Sequence, residues 1–88
     1  MHAHDLKKGA TITTYSVEGL LHDFLVTEVT PSRVDFDAAH LIVQDLGDEL
    51  VRTEAVRART EKTKRGANTV VLIFRNGRRH EVVGMIAP

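Results

Sequence analysis

The chain contains no cysteine, and that absence removes a block of chemistry. No disulfide can staple the fold, no thiolate can act as a nucleophile, and no Cys-type zinc site can form. Tryptophan is missing too, and the only aromatics are Tyr15, Phe24, Phe36 and Phe74. Phe36 and Phe74 sit in core-like patterns, which leaves at most Tyr15 to stack on a base. A reader of single-stranded nucleic acid, which needs exposed aromatic platforms, is therefore disfavoured. Serine occurs only at 16 and 32, in neither case within a nucleophile motif. No phosphate-binding loop and no His-Glu-x-x-His spacing is present. No apolar run approaches the roughly 18 residues of a membrane span, and Met1 to Lys8 lacks the apolar core of a signal peptide. These absences point to a cytoplasmic protein that is not an enzyme, carries no cofactor and does not enter a membrane.

What remains is an 88-residue chain, 42% hydrophobic and 27% charged, long enough for one domain over residues 1–88. Its size and scarce aromatics disfavour a small-ligand cavity. The strongest local signal is Asn76-Gly77. Val70, Val71, Leu72, Ile73 and Phe74 lead into it, and His80 to Ile86 lead out. Asn-Gly tolerates the positive φ that a type I′ turn needs at both central residues, so the pair predicts the tip of a two-residue hairpin, with Arg75 facing Arg78 across it.

Thr11–Val17 is rich in Thr, Ile, Tyr and Val and predicts a strand, closed by a turn at Glu18-Gly19. Leu20–Thr30 predicts a second strand, broken by Pro31-Ser32. Arg33–Ala38 alternates, with Val34, Phe36 and Ala38 on one face and Arg33, Asp35 and Asp37 on the other, and predicts a third. Leu41-Ile42-Val43 predicts a short fourth, ended at Gly47-Asp48. Residues 48–65 admit two readings. A strand with one bulge near Ala55 explains both apolar sets, its end becoming a flexible basic loop. A helix capped by Asp48 and stopped at Gly66 is the alternative.

The order of short strands and tight turns across Thr11 to Ile86 resembles a small SH3-like or Sm-like barrel. The expected fold is mainly β, an antiparallel barrel or strongly bent sheet of about five to seven strands. The alternative is α+β, with the helix at 48–65 covering the sheet. The resemblance implies a binding module, since such barrels bind RNA, DNA, peptides or one another, and fold alone does not choose. Val70–Phe74 is apolar on both faces, so its outer face needs a cover. That cover is the helix, or a second copy of the chain if 48–65 is a strand.

Charge supplies the functional expectation. The total is zero, with 12 basic and 12 acidic residues. Residues 1–50 carry three basic and nine acidic side chains, net −6, and residues 51–88 carry nine and three, net +6. Such asymmetry is a pointer to an anionic partner, although strands of the two halves lying side by side would cancel it. The candidate contacts to nucleic acid or another polyanion are Arg57, Arg59, Lys62, Lys64 and Arg65, with Arg75, Arg78 and Arg79 at the hairpin. They would bind mainly phosphates, with little sequence preference. The competing expectation is a homo-oligomeric interaction module.

The histidines carry less. His22-Asp23 lie on opposite faces of a strand and cannot form a dyad. His2, His4 and Asp5 have metal-ligating chemistry, but residues 1–8 are expected to fray, and ordering them would oppose binding. No metal site is expected.

Overall fold

The computed structural model describes residues 1–88 as six antiparallel strands closed into a small barrel, with a 3-10 turn at Ala3–Asp5 as the only helical element. The strands are β1 (Thr11–Ser16), β2 (Leu21–Pro31), β3 (Ala38–Asp45), β4 (Thr53–Lys62), β5 (Asn68–Phe74) and β6 (Arg79–Ile86). Each pairs with its neighbour in sequence, and β6 pairs back onto β1. No sheet edge is left open, which removes the template for edge-to-edge aggregation. No helix is long and apolar enough to cross a membrane.

The interior follows the period of two. Ile12, Phe24, Val26, Leu41, Val43, Val56, Ala58, Val70, Leu72, Phe74 and Val82 fill it. Two β-bulges keep the pattern in phase. Thr27 is the extra residue of β2, between the pairs Val26–Val43 and Glu28–Ile42. Val83 is the extra residue of β6, between Val82–Thr14 and Gly84–Thr13. Each shifts the inward face by one, so that Val29 and Met85 still pack against the core. β4 itself has unbroken register on both sides, so the bulge expected at Ala55 is absent and Ala55 simply faces out.

Three turns share one design. Residues 16–20, 63–67 and 74–78 each close with paired bonds. The Gly77 N–H donates to the Phe74 carbonyl and the Phe74 N–H to the Arg78 carbonyl, both at 2.9 Å, and the Ser16–Leu20 and Thr63–Ala67 turns repeat the pattern. Gly19, Gly66 and Gly77 have φ of 86°, 81° and 85°, and no non-glycine residue has positive φ. A three-residue loop made of a type I turn and a left-handed glycine fits these facts, and type I′ does not. The hairpin tip is therefore Arg75-Asn76-Gly77, and Phe74, not Arg75, stands opposite Arg78. The basic turn Lys64-Arg65-Gly66 is a tight reversal of the same kind rather than a loose loop.

One further strand expectation is corrected. Residues 33–37 form a loop, not a strand. The Ser32 hydroxyl accepts the N–H groups of Val34 and Asp35, and Asp35 accepts that of Asp37. Local side-chain acceptors thus take the backbone groups a ladder would need. Val34 and Phe36 end up 98% and 76% exposed. Of the two readings of residues 48–65 the strand holds: a loop leads into β4, and no helix forms. The amino terminus packs against the barrel. Ala3 and Leu6 are buried at 0% and 1% exposure and plug one end of the barrel. The Ala3 N–H donates to Thr60 Oγ1 at 2.8 Å. Finally, no helix covers the outer face of β5. Arg57 and Arg79 flank Ile73, Arg59 and Glu81 flank Val71, and Val71 is only 8% exposed beneath their aliphatic stems.

Candidate polyanion-binding surface

Antiparallel alternation sends Arg57 and Arg59 out of β4 while Val56 and Ala58 point in. Arg57 lies in a cross-strand row running Thr30, His40, Arg57, Ile73, Arg79 over β2 to β6. Beside it, Glu28, Ile42, Ala55, Ile73 and Arg75 complete a shallow groove of about 390 Å³. Arg57 and Arg59 also border a second, more polar depression with Ser32, Asp35 and His40. Lys62 ends β4, and Lys64 and Arg65 hold the central positions of the turn that follows.

The eight basic residues do not form one cluster. β4 runs from the hairpin end of the barrel toward the plugged end. Arg57 and Lys62 are thus separated by five strand residues, about 17 Å. Arg75 and Arg78 sit at one end of the barrel, and Lys64 and Arg65 at the other. Arg57 and Arg59 share the outer face of β4, Lys62 ends the strand on the alternate parity, and Lys64 and Arg65 follow in the turn.

Ion pairing divides the set again. Arg79 reaches Glu61 with one nitrogen 2.7 Å from both carboxylate oxygens. Arg78 lies 3.5 Å from Glu54, with its guanidinium carbon 5.0 Å from the centre of the Phe74 ring. Glu81, the remaining carboxylate of residues 51–88, accepts from Thr69 at 3.1 Å. Arg52 pairs with Asp48. Arg57, Arg59, Lys62, Lys64, Arg65 and Arg75 have no carboxylate within 4.0 Å. No ion pair within 4.0 Å joins a strand of one half to a strand of the other, while Glu28 lines the same groove as Arg57 and Arg75, and Asp35 the same depression as Arg57 and Arg59. Glu54 and Glu61 pair with Arg78 and Arg79, Glu81 is bonded to Thr69, and six cations have no ion-pair partner.

The far end of the barrel holds a group that the sequence did not mark. His80 is 3% exposed, with Nδ1 2.9 Å from Thr14 Oγ1. Its ring packs 4.6 Å from Phe74 and 4.8 Å from His22, and Phe24 lies 5.7 Å from Phe74. Burial pushes the His80 pKa below its ordinary value, and neighbouring His22 and Arg78 push the same way. The period-two phase of β6 was the available signal, since His80 shares a face with Val82.

At the plugged end, Phe36 is exposed and rests on His4 at 4.6 Å. Together with half-exposed Tyr15 it gives two accessible aromatics, one more than expected, but neither lies on the β4 stripe. No protein-family model, curated protein or solved structure matches this chain.

Proposed function

We propose that this barrel is a binding module for a polyanionic chain, nucleic acid foremost, which lies along β4 and the β4–β5 turn. The supporting observation is a set of cations without an ion-pair partner, Arg57, Arg59, Lys62, Lys64 and Arg65, with Arg75 at its flank. β4 presents Arg57 and Arg59 on its outer face, Lys62 ends the strand on the alternate parity, and a tight turn carries Lys64 and Arg65, so little ordering entropy opposes contact. Since no exposed aromatic stands on the stripe, binding is to phosphates and is indifferent to base sequence.

Five phosphate contacts on a duplex imply a log–log salt slope near −4.5, about a 500-fold loss of affinity between 50 and 200 mM salt. Fluorescence anisotropy with mixed-sequence duplex DNA and single-stranded RNA measures this. Arg57→Glu with Arg59→Glu abolishes binding, whereas Arg78→Ala leaves it nearly intact. Absence of binding at 50 mM salt, or a flat salt profile, would falsify the reading.

A second reading is a homo-oligomeric module joined through the barrel ends, both of which carry mixed charge. Glu18, Asp45, Asp48 and Glu49 lie at the hairpin end with Arg52, Arg75 and Arg78, and Lys7, Lys8, Lys64 and Arg65 lie at the plugged end with Asp5, Asp35 and Asp37. Head-to-tail docking of copies would join these ends. Sedimentation at micromolar concentration distinguishes it: a monomer at low salt removes this alternative.

A further inference from the structure

The plugged end of the barrel brings together two imidazoles and a carboxylate that lie far apart in sequence. His2 Nδ1 is 3.3 Å from Asp37 Oδ1, and His4 Nδ1 is 3.9 Å from the same oxygen. One ligand atom from each of the three residues falls within 4.8 Å of the others. Zinc bound to nitrogen and oxygen at about 2.0–2.1 Å in tetrahedral geometry holds its ligands about 3.3 Å apart. The triad is thus close to a coordination shell and needs only small rotations to reach one. The two imidazole rings stack at 5.1 Å and present the same nitrogen to the same carboxylate.

The surroundings support that role. A metal-bound imidazole donates its other N–H to an acceptor that fixes the ring. His4 Nε2 lies 3.5 Å from Asp5 Oδ1. His2 Nε2 lies 3.2 Å from the Asn68 side-chain amide, and a half-turn of that amide offers its oxygen to the Nε2 proton. Phe36, otherwise an unexplained exposed ring, lies against the His4 imidazole. The backbone is held without any ion. Ala3 and Leu6 are buried, the His2 N–H donates to Asp5 Oδ2 at 2.8 Å, and the Thr60 N–H donates to the Asp37 carbonyl at 2.9 Å. Ordering entropy, which would defeat a site on a frayed terminus, is therefore already met by hydrophobic anchoring.

We propose that His2, His4 and Asp37 form a divalent transition-metal site, for zinc in preference to the hard ions magnesium and calcium. Two nitrogens and one oxygen suit a borderline ion and leave a fourth position open to water. The ion would tie the amino-terminal plug to the loop before β3. It lies at the barrel end that also carries Lys62, Lys64 and Arg65, and none of its three ligands is a residue invoked for polyanion binding.

Titration of the metal-free protein with zinc chloride, followed by calorimetry and by the visible spectrum of the cobalt(II) form, tests the site. The expected result is one ion per chain, a raised melting temperature and a tetrahedral cobalt spectrum. His4→Gln and Asp37→Asn each weaken affinity by more than about tenfold, and Asp5→Asn by about tenfold through its effect on the ring. His40→Gln, on the outer face of β3, leaves it unchanged. All four side chains are at least partly exposed, and circular dichroism of each variant verifies the fold. Zinc uptake that survives both His4→Gln and Asp37→Asn, absence of uptake at millimolar zinc, or equal affinity for magnesium overturns the proposal.

Discussion

Arg79 on β6 and Glu61 on β4 meet across the whole width of β5, with one guanidinium nitrogen 2.7 Å from both carboxylate oxygens. Arg79 is in register with Ile73 and Glu61 with Thr69. The pair therefore runs diagonally over Val71, the residue between them on the outer face. A strand that is apolar on both sides is thus kept from water by the stems of charged neighbours. No helix lies over it.

The strap makes a measurable contribution. Both side chains are partly exposed, so a double-mutant cycle of Arg79→Ala and Glu61→Ala is expected to give a coupling of about 0.2–1 kcal/mol. Arg79→Ala costs more than Glu61→Ala, because it also uncovers Val71. Equal single-mutant costs with zero coupling in urea unfolding would remove the strap from the account.

Leu6 tests the plug. At 1% exposure, its truncation in Leu6→Ala opens a cavity at the barrel end and is expected to cost about 2–5 kcal/mol. Residues outside the folded core cost less than about 0.5 kcal/mol. A small effect on the urea midpoint means that the terminus is not part of the core.

His80 makes stability depend on pH. Its folded pKa lies below the ordinary value of 6.5 because the ring is buried against Phe74, beside His22 and Arg78, with Glu18 and Asp45 opposing the shift. The unfolded state then binds more protons than the folded one in the window below 6.5. The contribution is complete above that value and is lost as pH falls through it toward the folded pKa. Urea unfolding on either side of the window should show His80→Gln with a shallower acid loss than the parent. An unchanged acid profile in that variant assigns the effect elsewhere.

Gly77 isolates a backbone term. Nothing lies within 4 Å of a Cβ added there, yet φ is 85°. Gly77→Ala is expected to cost about 1–2 kcal/mol from conformation alone. Gly77→Asn costs less, since asparagine tolerates the left-handed region. Equal stability of all three forms contradicts the turn assignment.

Much of the barrel was legible locally. Strand-forming runs bounded by turn residues located β1, β2, the middle of β3, β5 and β6, and the run Val70 to Phe74 correctly implied an apolar outer face. The turn type was misread because Asn-Gly fits two geometries, and neighbouring register separates them. A glycine at the fourth position of three separate turns was the sequence signal that distinguished them. Residues 33–37 alternate as a strand does, but Ser32 and Asp35 withdraw the backbone groups that pairing needs.

For the candidate sites, sequence named the basic residues but not their grouping. Which arginines stay free depends on where Glu54, Glu61 and Glu81 fall, and that is set by register between strands far apart in the chain. The His2–His4–Asp37 cluster joins residues 35 positions apart, and no local spacing announces it.

Composition and period alone determined that the chain folds as one small β domain without disulfides, because alternation and turn chemistry act over a few residues. Closure of β6 onto β1, the seating of Leu6 in the barrel end and the convergence of His2 and His4 on Asp37 were decided only in three dimensions. Each arises when distant segments exclude water together, a cooperative gain that no single segment carries in its own residues.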